Sequence, residues 1–377
     1  ELSFLNIDRP ETQFPEDADM YSDEVYARAR RMLDERIEDG TFLEDPEECY
    51  YIYQLTMDGR SQTGLVACCS IDDYLSGTIK KHENTREEKE RDRIRHVDVT
   101  NAHTGPVFLA YRADRDLDRM VSRAMEEEPL YDFVSEDGVG HKVWKLAGAQ
   151  AVKEVEQAFA AIPATYIADG HHRAASAVKV GLKRRAENPG YTGEEPFHHF
   201  LAVLFPDDQL KILPYNRVVK DLNGLDKNQF LDRVGENFTV EKSETSISPT
   251  AKGQFGMLLD GCWYRLTAKP RICTPDPVAG LDVSLLQDHL LGPILGIGDP
   301  RTDKRIDFIG GIRGLKELER RVNLDMAVAF SMYPTSMDEL LSVADAGLLM
   351  PPKSTWFEPK LRSGIFIHRL TNTSKGV

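Results

Sequence analysis

The chain has 377 residues, enough for two or three domains each with a core of its own. It is 41% hydrophobic and 29% charged, the balance of an ordinary globular protein. The 62 acidic against 47 basic residues give a formal net charge of −15, which argues against a chain built to coat nucleic acid or an anionic membrane. Five cysteines (Cys49, Cys68, Cys69, Cys262, Cys273) contain no C-x-x-C pair and read as reduced thiols of a cytoplasmic protein. No apolar run approaches the ~18 residues of a membrane span, and no signal peptide is expected. The first residue is Glu1 and not methionine, so a further N-terminal segment is expected upstream.

An apolar piece over 2–7 precedes a helix predicted for 22–40, where Val25, Ala29, Met32, Leu33 and Ile37 fall at helical spacing. Strands predicted over 47–56 and 63–71 flank Asp58-Gly59, a strong hairpin signal. The stretch 79–95, IKKHENTREEKERDRIR, reads from Glu87 onward as a charged, solvent-facing helix. Its first part differs. Lys80, Lys81, His82, Glu83, Thr85 and Arg86 stand where a strand becomes a helix, a place that favours anions. There His82 or Glu83 can act as proton acceptor, and Lys81 and Arg86 can hold phosphate. Asn101, His103 and Thr104 form a turn before the strand 107–111 and are candidate substrate contacts. A helix over 115–128 and strands over 130–134 and 142–146 follow, then a helix over 149–160. His141, beside the turn 136–140, is a further substrate-contact candidate, with a structural histidine as the plain alternative.

The stretch that organises the chain is 165–177, TYIADGHHRAASA. A β-forming run breaks at Asp169-Gly170, and a helical pattern begins at Ala174. Strand, glycine turn and helix start aim the first free N–H groups of the helix at whatever sits in the turn, and the helix dipole favours an anion there. Gly170 tolerates positive φ and close approach, while His171, His172 and Arg173 add donors suited to phosphate. Asp169 is either a helix cap or a base.

Strands over 199–205 and 209–219 are expected as a hairpin around Pro206-Asp207-Asp208. His198-His199 lacks a third ligand at suitable spacing, so no protein metal cage is expected. A helix over 227–238, a strand over 238–242 and a hairpin across Asp260-Gly261 follow. The remainder reads as a helix over 281–295, a strand over 305–309, a helix over 314–321, a strand over 326–333 and a helix over 336–346 opened by a capping box at Ser336. Gly310-Gly311 with Arg313 gives a second strand–glycine–helix pattern, equally explained by packing. In MPPKST (350–355), Lys353, Ser354 and Thr355 either grip phosphate oxygens or form a proline-stiffened lead into a strand. Strands over 356–361 and 364–369 and a polar tail, 371–377, end the chain. The order of elements predicts a mixed α/β fold in three parts: 1–205 as a core, 206–280 as a smaller α+β scaffold, and 281–377 as a C-terminal α/β segment returning MPPKST to the site.

The motifs IADGHHRAASA, IKKHENTR, NAHTGPVFLAY, PLYDF-x-x-EDGV and MPPKST-x-F-x-PKL-x-SG resemble the bacterial and archaeal family DUF1015, from near residue 1 to about residue 370. Members of that family carry a P-P-Y-D-V type motif in an N-terminal segment that this sequence does not contain. The D-G-H-H-R turn is also similar to that of the ParB/sulfiredoxin superfamily, whose members include sulfiredoxin, ParB-type nucleotide-binding domains and kinases of free serine. This second resemblance covers only the turn and implies nucleotide binding there, with the phosphates at Gly170, His171, His172 and Arg173. Combined with the residues read above, Lys81, Arg86, Lys353, Ser354 and Thr355 are the expected clamps. Glu83, or else His82 or Asp169, would then be the base, with His172 in the catalytic set.

The expected function is an ATP- or ADP-dependent phosphotransferase with Mg²⁺ carried by the nucleotide, acting on a small hydroxylated metabolite, first of all L-serine. The alternative is a non-catalytic nucleotide sensor, which leaves the K-K-H-E stretch without a job. Nucleotide and a small substrate are the expected partners. Neither nucleic acid nor membrane is, and the sequence does not give the oligomeric state.

Overall fold

Asp58 and Gly59 both take positive φ, as a two-residue type I′ turn requires, and Met57 pairs with Arg60 across them. That hairpin sits in the sheet of the first of two units in the computed structural model, which describes residues 3–371. The first unit comprises 1–210 and 359–377, the second 211–358. Leu2 of the N-terminal apolar piece and residues 372–377 of the polar tail lie outside the described residues.

The helices of the first unit are α1 (Leu5–Asp8), α2 (Asp23–Glu38), α3 (Ile71–Ser76), α4 (Glu87–Thr100), α5 (Arg115–Ala124), α6 (Ala149–Ala160) and α7 (His171–Glu187). Its strands are β1 (Cys49–Met57), β2 (Arg60–Ser70), β3 (Ile79–Lys80), β4 (Ala102–His103), β5 (Val107–Tyr111), β6 (Tyr131–Val134), β7 (Gly140–Ala147), β8 (Thr165–Asp169) and β9 (His199–Pro206). Eight of them form one mixed sheet in the order β3-β8-β5-β9-β2-β1-β7-β6. The pairs β3/β8 and β5/β9 are parallel and the rest antiparallel. β4 instead pairs with His368–Arg369 from the returning C-terminal piece.

The all-apolar run of β5 and the alanine-rich face of α7 explain why the core gathers here. Val107, Leu109, Ile167, Ala202 and Leu204 of the sheet pack with Ala174, Ala177 and Val178 of α7, all buried. Gly181 of α7 is needed for that approach, because a Cβ there would lie 2.7 Å from Ile71 and from the Phe197 carbonyl. Two expectations change. The helix after Glu87 is not wholly solvent-facing: α4 packs on α7, burying Glu90, His96 and Thr100 and pairing Asp98 with Lys183 and Arg184. No 199–219 hairpin forms either, since β9 finds β2 and β5 while the strand after it joins the other unit's sheet.

The second unit holds α8 (Lys227–Asn237), α9 (Asp282–Leu286), α10 (Gly314–Leu324) and α11 (Met337–Asp345). Its strands are β10 (Tyr215–Val219), β11 (Phe238–Ser243), β12 (Gln254–Leu259), β13 (Cys262–Ala268), β14 (Ile306–Gly310) and β15 (Val328–Met332). They form an antiparallel sheet ordered β11-β13-β12-β15-β10-β14, in which strands from both sides of residue 280 interleave, so no boundary falls there. The Ser336–Glu339 capping box closes α11 from both directions, and Asp226 and Gln229 make a second one on α8. Gly310 and Gly311 serve packing: a Cβ would lie 2.7 Å from the Trp356 ring at the first and 2.7 Å from Pro214 at the second.

MPPKST is fixed through its backbone. The Lys353 carbonyl accepts from Arg217, a fully buried guanidinium whose pKa burial lowers to about 10. Ser354 is buried and donates to the Pro351 carbonyl at 2.6 Å, while half-buried Thr355 follows it. The Lys353 ammonium stands 5.5 Å from the Tyr215 ring, and the residue itself takes φ +62°.

Asp282 accepts the Gly253 N–H on both oxygens, at 2.9 and 3.0 Å, yet burial raises its pKa to about 6. The folded chain therefore keeps that proton to higher pH than the unfolded one, and stability falls as pH rises from 3.8 to about 6. Asp282→Asn, which retains an acceptor for Gly253, is expected to remove this loss of about 2–3 kcal/mol. Urea unfolding of both proteins at pH 3.5 and 7.5 checks it: the variant's stability relative to wild type rises between the two, and an unchanged difference would contradict the shift.

Candidate functional site

β3 and β8 run parallel in register, Ile79 opposite Thr165 and Lys80 opposite Tyr166, so both chains leave the sheet at the same end. One continues as Lys81-His82-Glu83, the other as Gly170-His171-His172, and two stretches 89 residues apart meet there. Gly170 makes the exit possible. At φ +91° it is left-handed, it gives its N–H to Asp169 Oδ1 at 2.8 Å, and α7 starts on the next residue. The first free N–H groups of this 17-residue helix therefore open at the turn. Gly170→Ala would force a Cβ into left-handed backbone at a cost of about 1–2 kcal/mol and distort this end of the helix. The expected result is a drop of a few degrees in melting temperature with loss of anion-induced stabilisation, read by thermal shift with and without pyrophosphate.

The paired histidines hold the 81–86 loop. His171 Nε2 faces the His82 N–H at 3.5 Å, and His172 Nε2 accepts the Arg86 N–H at 2.9 Å. The His82 and His171 rings meet edge to face, centroids 4.5 Å apart. Both are buried, at 2% and 6% exposure, and burial drives both pKa values down, that of His82 to about 4, so both are neutral at physiological pH. Neither His82 ring nitrogen makes a geometrically sound hydrogen bond. At the far end of the loop, Thr85 donates to Glu90, which also pairs with Lys179 of α7. Ser176, fully buried, donates to the His172 carbonyl at 2.7 Å. Lys81 and Arg86 are exposed on the loop, and the Lys81 ammonium lies 6.0 Å from the Tyr74 ring.

Other sequence candidates have different partners. Arg173 bonds Asp8 Oδ2 at 3.3 Å and Ser363 Oγ at 3.4 Å, and a Cβ on Gly105 would lie 2.6 Å from its guanidinium. Its fork thus joins α7 to α1 and to the returning C-terminal piece. Asp8 collects Arg173, Arg93 and the Thr104 hydroxyl, which together outweigh burial and lower its pKa. Asn101 is the left-handed cap of α4 and donates to Thr371 at 2.7 Å. His103 is buried and stacked on His368 at 5.6 Å, beside a cavity of about 20 Å³ that Thr104 and Arg173 also line. His141 stands towards the opposite end of the sheet, satisfied by Tyr53 at 2.7 Å and Ser135 at 3.0 Å. Asp169 is bridged to Lys360 at 2.8 Å as well as to Gly170. Lys353, Ser354 and Thr355 belong to the second unit. Two residues that reading the sequence did not single out, Glu90 and Asp8, anchor the neighbours of the turn. Their only signal was a charge at a helical position whose burial shows in three dimensions alone.

Comparison with known proteins gives a family assignment. The family model described as a protein of unknown function, DUF1015, matches residues 1–284. The chain belongs to this family. The assignment agrees with the motifs around the two strand ends, and the observed architecture is mixed α/β, as expected. No match was found among curated proteins. Among solved structures, a mutant free serine kinase in complex with AMP is 15% identical, with 79% of this chain and 90% of that one covered and a TM-score of 0.39. A conserved hypothetical protein from Pyrococcus furiosus is 16% identical, with 79% and 94% covered and a TM-score of 0.36. A C-terminally truncated SbnI from Staphylococcus aureus is 10% identical, with 78% and 82% covered and a TM-score of 0.39. Among the described residues no helix is long and apolar enough to cross a membrane.

Proposed function

We propose that this chain is a nucleotide-dependent phosphotransferase for a small hydroxylated metabolite, with free L-serine the first acceptor to test. The observation that carries the reading is the helix end itself: α7 opens through left-handed Gly170 beside two parallel strand ends and a loop bearing two exposed cations. Backbone N–H groups and a helix dipole bind phosphate oxygens, and Lys81 and Arg86 add the charge that phosphoryl transfer requires. Mg²⁺ carried by ATP or ADP would supply further positive charge to the phosphates. The His82–Glu83 pair activates the acceptor hydroxyl, and His172 holds the loop that carries it.

The test is direct. The purified chain is incubated with ATP or ADP, Mg²⁺ and a panel of hydroxylated metabolites including serine, and products are followed by mass spectrometry. A phosphorylated acceptor supports the reading. Nucleotide-induced stabilisation with no phosphorylated product from any acceptor makes the chain a nucleotide sensor and ends the kinase proposal.

A further inference from the structure

Phosphate binding accounts for the helix end and the two exposed cations, but not for the buried group beside them. One imidazole nitrogen each from His82 and His171 and one carboxylate oxygen of Glu83 all lie within 4.8 Å of one another. Both imidazoles are more than nine-tenths buried, and Glu83 is half-buried. Neither ring nitrogen of His82 makes a hydrogen bond of good geometry; the Ile167 carbonyl acts weakly on the ring N–H, and the remaining lone pair is buried without a partner, an expensive state unless something else takes it. The contact from the His82 N–H to His171 Nε2, at 3.5 Å, stands at the outer limit of a hydrogen bond and leaves that lone pair weakly engaged.

We propose that His82, Glu83 and His171 bind one divalent transition-metal ion of the zinc class. Two imidazoles and a carboxylate form a mixed nitrogen–oxygen set, which suits Zn²⁺ or Co²⁺ far better than Mg²⁺ or Ca²⁺, whose shells are built of oxygen. Around a tetrahedral ion the ligand atoms stand about 3.3 Å apart, so binding draws the three side chains inward. Three protein ligands leave a coordination position open, as catalytic sites do and closed structural sites do not. His171 is the first residue of α7, so an ion held there would lie beside that helix end, where an oxygen of an acceptor hydroxyl or of a phosphate group could complete its shell. An ion there makes a bound hydroxyl more acidic, and Glu83 then serves as ligand while the metal does the activating. This specifies how the His82–Glu83 pair works in the phosphotransferase reading. The ion site itself does not depend on that reading and is tested without nucleotide.

The full-length chain, stripped with chelator, is titrated with Co²⁺ and the visible ligand-field absorption is followed, then displaced with Zn²⁺. One equivalent is expected to bind, and Mg²⁺ at equal concentration does not compete. His82→Gln and Glu83→Gln each weaken Co²⁺ binding by tenfold or more. His198→Gln, in the other adjacent histidine pair, leaves binding unchanged. Melting curves confirm that each variant is folded, and if His82→Gln is not, Glu83→Gln carries the test. A folded wild type that takes up no stoichiometric Co²⁺, variants that retain wild-type affinity, or displacement by Mg²⁺ would each overturn the proposal. Nucleotide binding by the metal-free chain remains a separate measurement, so either idea can fail alone.

Discussion

His172→Ala is expected to lower kcat/KM for phosphoryl transfer by about 100-fold or more, with the chain still folded. The His172 imidazole accepts the Arg86 N–H at 2.9 Å, and this bond sets the loop carrying Lys81, His82 and Glu83 against the start of α7. Alanine leaves that N–H without its acceptor and frees a loop whose groups must be placed to within about 1 Å, an error of which costs roughly 10²-fold in rate. Packing changes little, because the imidazole is only half-buried, so the melting temperature should move by a few degrees. His172→Gln, whose amide oxygen can still accept, should recover part of the rate. Steady-state turnover of nucleotide with acceptor present decides the matter, and wild-type rates in His172→Ala would mean that the bond positions nothing used in the reaction.

Asp8→Asn is expected to destabilise the protein by about 2–3 kcal/mol at pH 7. Asp8 is the shared partner of Arg173, Arg93 and Thr104, and losing its charge leaves two guanidinium groups facing each other with reduced compensation. The sign with pH is fixed by the lowered pKa of the Asp8 carboxyl in the folded state. Its contribution is fully present above the unfolded value of 3.8, begins to shrink below it, and is lost as pH falls through the lower folded value. The wild-type and variant urea midpoints should differ by the same amount at pH 7 and pH 5 and converge towards pH 3. A difference that persists unchanged at pH 3 would show that packing, not charge, is what the substitution removes.

Local signals in the sequence gave the elements that depend on neighbouring residues. Asp58-Gly59 and Asp260-Gly261 demand positive φ, Ser336 and Glu339 sit at capping-box spacing, and Gly170 marks the strand–helix turn; all four features are present. The helix expected over 22–40 forms as Asp23–Glu38 for the same reason, a hydrophobic stripe at helical period. What escaped is what long-range pairing decides. Asp207–Gln209 forms one short helical turn where the sequence suggests a hairpin loop, because β9 finds better neighbours in β2 and β5. Arg173 looks like a phosphate ligand in a one-dimensional motif, but three residues into the helix its side chain meets Asp8. The histidines read as phosphate donors prove to be acceptors for backbone N–H groups of the 81–86 loop, a relation visible only once β3 lies beside β8. For the same reason the proximity of His82, Glu83 and His171 is not encoded in their spacing along the chain.

Phosphate oxygens are expected to sit at the start of α7. A crystal structure of the chain grown with ADP and Mg²⁺ measures this most directly. The expected result places the terminal phosphate within hydrogen-bond distance of the backbone N–H groups of His171 and His172, with Lys81 or Arg86 against its oxygens. ADP bound with its phosphates away from Gly170, or no ADP at concentrations that saturate a thermal shift, would contradict it.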